Sequence, residues 1–237
     1  MDESKLARGQ VVTGFSFPQV ALYSAENGVV TYTGVRDLAR GVSVNPQITV
    51  ANGDNILYLD NRAAERGKPH FRTGTLGLGV DGLRVASEKM LMGIPASASN
   101  PVTVGSDTVN FTAYDEDQNI PYVGLSVIVQ VQSNGIIYYI GFIYRKLQFN
   151  TFDVPATTEG QEIDWQTQSL SAQILTDDTA AHAWKWFSEP LATELAAYNA
   201  CRAALVLTTS RSALYERAKI RRVQRSEFSS SALAKGG

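Results

Sequence analysis

The residues through which this chain could do chemistry are few. They are two histidines, His70 and His182, one cysteine, Cys201, and the glycine pattern Gly77-Leu-Gly79-Val-Asp-Gly82. A Gly-x-Gly-x-x-Gly turn between a strand and a helix can cradle a pyrophosphate, provided it belongs to a βαβ unit with an acidic residue further on for the ribose. Here the helix that follows is short. The chain runs on through Pro95, Ser97 and Ser99 instead of a second parallel strand, and no acidic residue lies at 100–103. The glycines therefore read as a flexible strand-to-helix bend. Gly67-Lys68 ends like a phosphate-binding loop, but the position that needs the upstream glycine is Arg62. Asp115, Asp117 and Asn119 take the first, third and fifth places of a calcium loop. The sixth is Ile120, Pro121 follows it, and the twelfth is Ser126 where a bidentate Glu is required. That segment reads as a solvated acidic turn.

A lone cysteine excludes an intrachain disulfide and a cysteine-based zinc site. No Gly-x-Ser-x-Gly elbow offers a serine nucleophile. Cys201 sits in an Ala- and Leu-rich helical stretch, where a small packed side chain is expected. His182, beside Trp184 and Trp186, reads as structural. The expectation is a non-enzymatic chain with no catalytic, cofactor-binding or metal residue. Near the C-terminus, Arg211, Arg217, Lys219, Arg221, Arg222 and Arg225 outnumber Glu216 and Glu227. This reads as a solvated helix face and tail; contact with an acidic partner surface is the alternative.

The elements that would position such residues are mainly strands. Short β-forming runs separated by turns fill residues 11–50, with Pro46 marking an edge strand and Asn52-Gly53 a hairpin. In "GLSVIVQVQ", Leu125, Val127, Val129 and Val131 alternate with Ser126, Ile128, Gln130 and Gln132, so one face is buried. Asn134-Gly135 then predicts a type I′ turn and a hairpin over 124–146. Its return strand, "IIYYIGFIYRK", is apolar on both faces and needs cover from a second sheet or a neighbouring subunit. A short helix is expected at about 82–92, capped by Asp81 and ended by Gly93. Two more strands are expected over 147–176, with a bulge at 167–169. Ser188 and Pro190 signal a helix start, after which Leu191, Leu195, Tyr198 and Leu205 share a stripe. The expected division is a β-domain over 1–188 and a helical, basic extension over 189–237 that ends in a disordered tail.

Composition bounds the class. The 237 residues are 44% hydrophobic and 19% charged, with a formal net charge of −2. Overall charge gives no reason to expect binding to nucleic acid. The polar start MDESKLARGQ has no apolar signal-peptide core, and no long apolar run could span a membrane. The expectation is synthesis and folding in a cytoplasm.

The segment "NILYLDNRAAERGKPHF" starts as a strand, becomes charged and ends on an aromatic. It is followed by "RTGTLGLGVDGLRVASEKMLMG", "FDVPATTEGQEIDWQTQSLSAQI" and "DDTAAHAWKWF". Taken in this order, over roughly residues 10–190, these segments resemble the major tail protein, the tail tube subunit, of long non-contractile-tailed bacteriophages. The resemblance implies a two-sheet β-sandwich or barrel with a flanking helix. It also implies rings of six subunits stacked into a hollow tube through which DNA passes without sequence-specific binding. Its partners would be further copies, a tape measure protein and tail-end proteins, and its place the virion tail, after synthesis in a host bacterial cytoplasm. A long loop bridges neighbours in that family, and residues 56–71 match its position. The contact candidates are therefore Leu57, Tyr58, Asp60, Asn61, Arg62, Glu65, Arg66, Lys68, His70 and Phe71. A bore that lets DNA slide should be neutral to acidic, because many cations would hold the phosphates. The rival expectation is a β-sandwich receptor- or carbohydrate-binding module of a virion.

Overall fold

A computed structural model describes residues 9–51, 56–95, 99–114, 118–152, 154–158 and 165–206. In chain order the elements are β1 (Val11–Glu26), β2 (Val29–Asp37), β3 (Gly41–Ala51), β4 (Ile56–Leu59), β5 (Arg62–Arg66), β6 (His70–Val80) and α1 (Val85–Met92). They continue with β7 (Asn100–Val104), β8 (Asp107–Phe111), β9 (Tyr122–Ser133), β10 (Ile136–Phe149), β11 (Gln168–Leu175), β12 (Lys185–Phe187) and α2 (Glu194–Val206). The chain is mainly β. Eight strands form one antiparallel sheet in the order β2-β1-β9-β10-β11-β6-β3, with β12 also paired to β10. β4–β5 and β7–β8 are separate two-stranded ribbons.

The sheet curls over itself. β1 and β3 are five positions apart, which in a flat sheet would separate them by about 24 Å. Yet a Cβ added to Gly41 of β3 would lie 2.2 Å from the Phe15 ring of β1. One core fills the concave side: Val20, Leu76, Leu78, Val80, Val123, Leu125, Val127, Leu147, Phe149, Leu170, Ala172 and Ile174, with Leu91 and Met92 of α1. The expected pair of sheets is thus one hydrogen-bonded sheet folded round a shared core. The expected barrel does not close, because β1 and β3 share no ladder among the described residues. Register shifts supply the bend. They fall in β1 between Val12/Gly14 and Ser16/Gln19 against β9, and in β10 between Tyr144/Leu147.

The β9–β10 hairpin forms as expected. Ser133 pairs with Ile136 across Asn134 (φ 54°) and Gly135 (φ 79°), the two positive φ values of a type I′ turn. β3 is a terminal strand, which accommodates Pro46 and its missing N–H. α1 begins at Val85, later than expected, with no side-chain cap at Arg84. Asp81 does not cap it, because its carboxylate accepts hydrogen bonds from Arg40 N (2.8 Å) and Nε (2.5 Å). Gly93 ends the helix in the left-handed region at φ 69°. The expected bulge at 167–169 is absent. β11 pairs with β6 residue for residue from Gln168↔Val80 to Ile174↔Gly74, and Trp165 lies ahead of the strand. Asn52-Gly53, Asp115, Asp117, the tail from 207 and its cations lie outside the described residues.

The second apolar face of β10 is covered from within the chain around Tyr139–Ile143, while Ile136 and Ile137 at its start stay exposed. α2 lays Ala197, Cys201 and Leu205 on the convex side of the sheet, over Ile128, Ile143, Ala21 and Val30. Its start differs from the expected one: Thr193 Oγ1 accepts from Ala196 N at 3.2 Å and caps the helix. Ser188 instead accepts from Gly141 N at 3.0 Å, and Leu191 forms a backbone bridge to Tyr139. Leu195, expected on the buried stripe, is 68% exposed. Beside β10 the buried stripe is made of the small residues Ala197 and Cys201 because the helix comes close to the backbone there. A Cβ on Gly141 would lie 2.5 Å from Cys201 Sγ. Gly141→Ala is expected to cost about 1–3 kcal/mol by overpacking, and Cys201→Ala in the same chain to recover most of it. Urea denaturation of the two single variants and the double variant measures that coupling.

Candidate assembly surfaces

Residues 56–66 are a β-hairpin that interrupts the longer β3–β6 hairpin, whose last pair is Ala51↔His70. Leu57 pairs with Glu65, Tyr58 with Ala63 and Leu59 with Arg62. The turn residues Asp60 and Asn61 both have positive φ, 48° and 59°, a conformation that Asp and Asn tolerate better than other side-chain-bearing residues. The apolar start of the segment is therefore not a strand of the main sheet. It is half of a ribbon that pairs only with itself.

That ribbon is uncovered. Ile56, Leu57, Tyr58 and Leu59 are 38%, 53%, 62% and 55% exposed. An isolated two-stranded ribbon in water is marginal, and four consecutive exposed apolar residues on it call for a partner. Of the sequence candidates, Leu57, Tyr58, Asp60, Asn61, Arg62, Glu65, Lys68 and His70 are exposed together. Arg66 pairs through its backbone with Ile56. Phe71 departs from the group. It turns inward and stacks on Trp184, with ring centroids 4.8 Å apart and planes at 7°, so it anchors the base of the arm.

Trp184 is itself fixed by a buried polar turn that the sequence reading missed. The register shift in β10 falls at Arg145 and Lys146 and lets both consecutive cations reach the turn at 177–183. Arg145 Nε donates to Asp177 Oδ2 at 2.9 Å, and both side chains are fully buried. Arg145 Nη2 also lies 2.9 Å from that oxygen, but off hydrogen-bonding geometry. The guanidinium carbon lies over the Trp186 ring, 3.8 Å from its centroid. Asp177 Oδ1 accepts from Thr179 N, Thr179 Oγ1 and Ala183 N. Next to it, Asp178 Oδ2 accepts from Lys146 Nζ at 2.7 Å and from the Tyr23 hydroxyl at 2.6 Å. Partial burial would raise the Asp178 carboxyl, but these two donors and the lysine charge hold it below the usual carboxylate range. Arg145 N donates to Trp184 O at 3.1 Å, which closes the path from this turn to the arm base.

A second ribbon, also missed, is β7–β8. Val102↔Val109 and Asn100↔Phe111 are directly opposed, so Val102, Val104, Val109 and Phe111 share one face. They are 46%, 64%, 46% and 56% exposed. The signal in the sequence was period-two apolarity on both sides of Gly105-Ser106. Both terminal strands of the main sheet, β2 and β3, also leave one edge unpaired among the described residues. The outer residues Val42, Ile48 and Val50 of β3 are 54%, 39% and 53% exposed.

The residues with chemical potential are placed apart from one another in the fold. His70 is at the arm base and His182 on the polar turn, where its Nδ1 is 3.4 Å from Asp177 O. Cys201 lies under α2, where burial pushes its thiol up to about 11. Gly77 and Gly79 lie in β6, and a Cβ on Gly79 would come within 2.6 Å of Ser43 Oγ. They permit close strand approach, and the antiparallel pairing around them is not a βαβ unit. Among the described residues no three His, Cys, Asp or Glu side chains are grouped to hold a metal ion, and no helix is long and apolar enough to cross a membrane. No protein-family model matches the sequence, and no curated protein matches it significantly.

Proposed function

We propose that this chain is a structural subunit that assembles with copies of itself, as rings of six stacked into the hollow tube of a non-contractile phage tail. The observation that carries the reading is the β4–β5 arm, an exposed apolar ribbon held on a curled, well-packed sheet. Such an arm has little to stabilise it until another surface covers it. The ring, the tube, the passage of DNA and the tape measure and tail-end partners come from the sequence resemblance. The curled sheet corresponds in this reading to the two packed layers of that family, and residues 189–237 to an extension beyond what its core needs.

A glycan-binding module is the second reading, and Trp165 favours it: it is 82% exposed in an irregular segment. The other large exposed apolar groups lie mostly on strands, where ladder contacts with a neighbour are the natural use. Negative-stain electron microscopy of the purified protein across a concentration series separates the two. Rings or tubes are expected. Monomers at every concentration, with glycan binding abolished by Trp165→Ala, would support the second reading instead.

A further inference from the structure

We propose that the apolar face of the β7–β8 ribbon is the seat for the β4–β5 arm of a neighbouring copy. This rests on reading β4–β5 as an inter-subunit arm. The seat has two sides: Val102, Val104, Val109 and Phe111 lie on one, with Asn100 and Asp107 at its two ends, and Pro101, Thr103, Thr108 and Asn110 lie on the other. Nothing in the described chain covers the apolar side, while the base of the ribbon is tied down, the Tyr114 hydroxyl donating to Glu88 of α1. A fixed base under a bare apolar face suits an incoming strand that is itself apolar, and among the described strands β4 alone is exposed along its whole length and apolar at every position.

Charge points the same way. Over 56–72 the arm carries Arg62, Arg66, Lys68 and Arg72 against Asp60 and Glu65. Over 99–114 the only charged residue is the acidic Asp107, which lies opposite Val104 at the end of the seat. A basic arm meeting an acidic neighbourhood favours this pairing over arm-to-arm or seat-to-seat contacts, which would bring like charges together.

Register forbids an easy closure within one chain. The arm leaves at Ala51↔His70, the end of the sheet that also holds the β9–β10 turn. The seat leads into Tyr122, which pairs with Gln148 at the opposite end. An arm at one end and its seat at the other make a heterologous contact, which propagates from copy to copy instead of closing a dimer.

The test uses Leu57→Cys and Val109→Cys in separate full-length chains, mixed under mild oxidation. Native Cys201 is 2% exposed and stays silent. A disulfide between position 57 of one chain and 109 of another is expected to form at least about tenfold faster than between Leu57→Cys and the exposed control Val85→Cys, and to slow as salt rises. Equal rates with the control would overturn the proposal. So would a Leu57→Cys/Val109→Cys chain that only cross-links to itself, or preferential capture of Val109→Cys by a cysteine placed in residues 207–237. A second variant, Phe111→Asp, should keep the native thermal midpoint and lose end-to-end growth; normal growth would also overturn the seat. If removing the arm stops assembly while Phe111→Asp and the cross-link show nothing, the arm stands and the seat falls. If removing the arm leaves assembly intact, the underlying reading falls and takes the seat with it.

Discussion

A chain from which residues 56–66 are removed, with residue 55 joined to residue 67, is expected to fold as the intact protein does and to form no tubes. The described side chains of the ribbon contribute nothing to the buried core, since none of them appears in any of the core clusters. Its ladder partners are internal to the deletion, so no strand of the main sheet loses a neighbour. The remaining connection is a short loop beyond Ala51↔His70, and shortening a loop changes closure entropy only slightly. The stability change should stay below about 1 kcal/mol, or about 2–4 °C in thermal midpoint for a chain of this size. Assembly should instead fall to nothing detectable by sedimentation or microscopy, because the four apolar residues of β4 are the part of the molecule most in need of cover. Tubes that form unchanged would remove the arm from assembly. A chain that fails to fold would place the ribbon in the fold itself.

What could be read from the sequence followed from local rules. Asn134-Gly135 between alternating strands gave the central hairpin, Pro46 an edge strand and Gly93 the end of α1. What could not be read depended on distant partners. A strand pattern in "ILYL" does not say which sheet the strand joins, so β4 was expected in the main one. β10 is apolar on both faces, which required a cover without naming it. The cover was α2: the helix and a packed Cys201 were expected, but not that they lie on β10, because the close approach of Cys201 to Gly141 joins residues sixty positions apart. The curl rests on extra residues in β1 and β10, and a bulge at Arg145-Lys146 has no composition of its own. Nothing near Asp177-Asp178 in the sequence reveals that Arg145, more than thirty positions earlier, is buried against it.

That hidden pair carries the largest stability effect expected in the molecule. Asp177→Ala leaves the Arg145 guanidinium fully buried without its counter-charge and strips the turn of the oxygen that Thr179 and Ala183 use. Removing one partner of a buried pair costs about 3–5 kcal/mol, a large share of the about 5–15 kcal/mol that holds a typical domain folded. The double variant Arg145→Met/Asp177→Asn should recover much of that. It removes both charges together, fills a similar volume against Trp186, and keeps a side-chain carbonyl to accept from the turn. Urea denaturation of Asp177→Ala, Arg145→Met and the double variant tests this directly; a cost below about 1 kcal/mol for Asp177→Ala would show that the pair is dispensable. The same variants separate folding from assembly. Trp184, held through Arg145 N and stacked on Phe71, links this turn to the base of the arm. Asp177→Ala should therefore lower tube yield even at temperatures where the monomer stays folded, and Arg145→Met/Asp177→Asn should restore it. If the yield follows monomer stability alone, the Phe71–Trp184 stack does not position the arm.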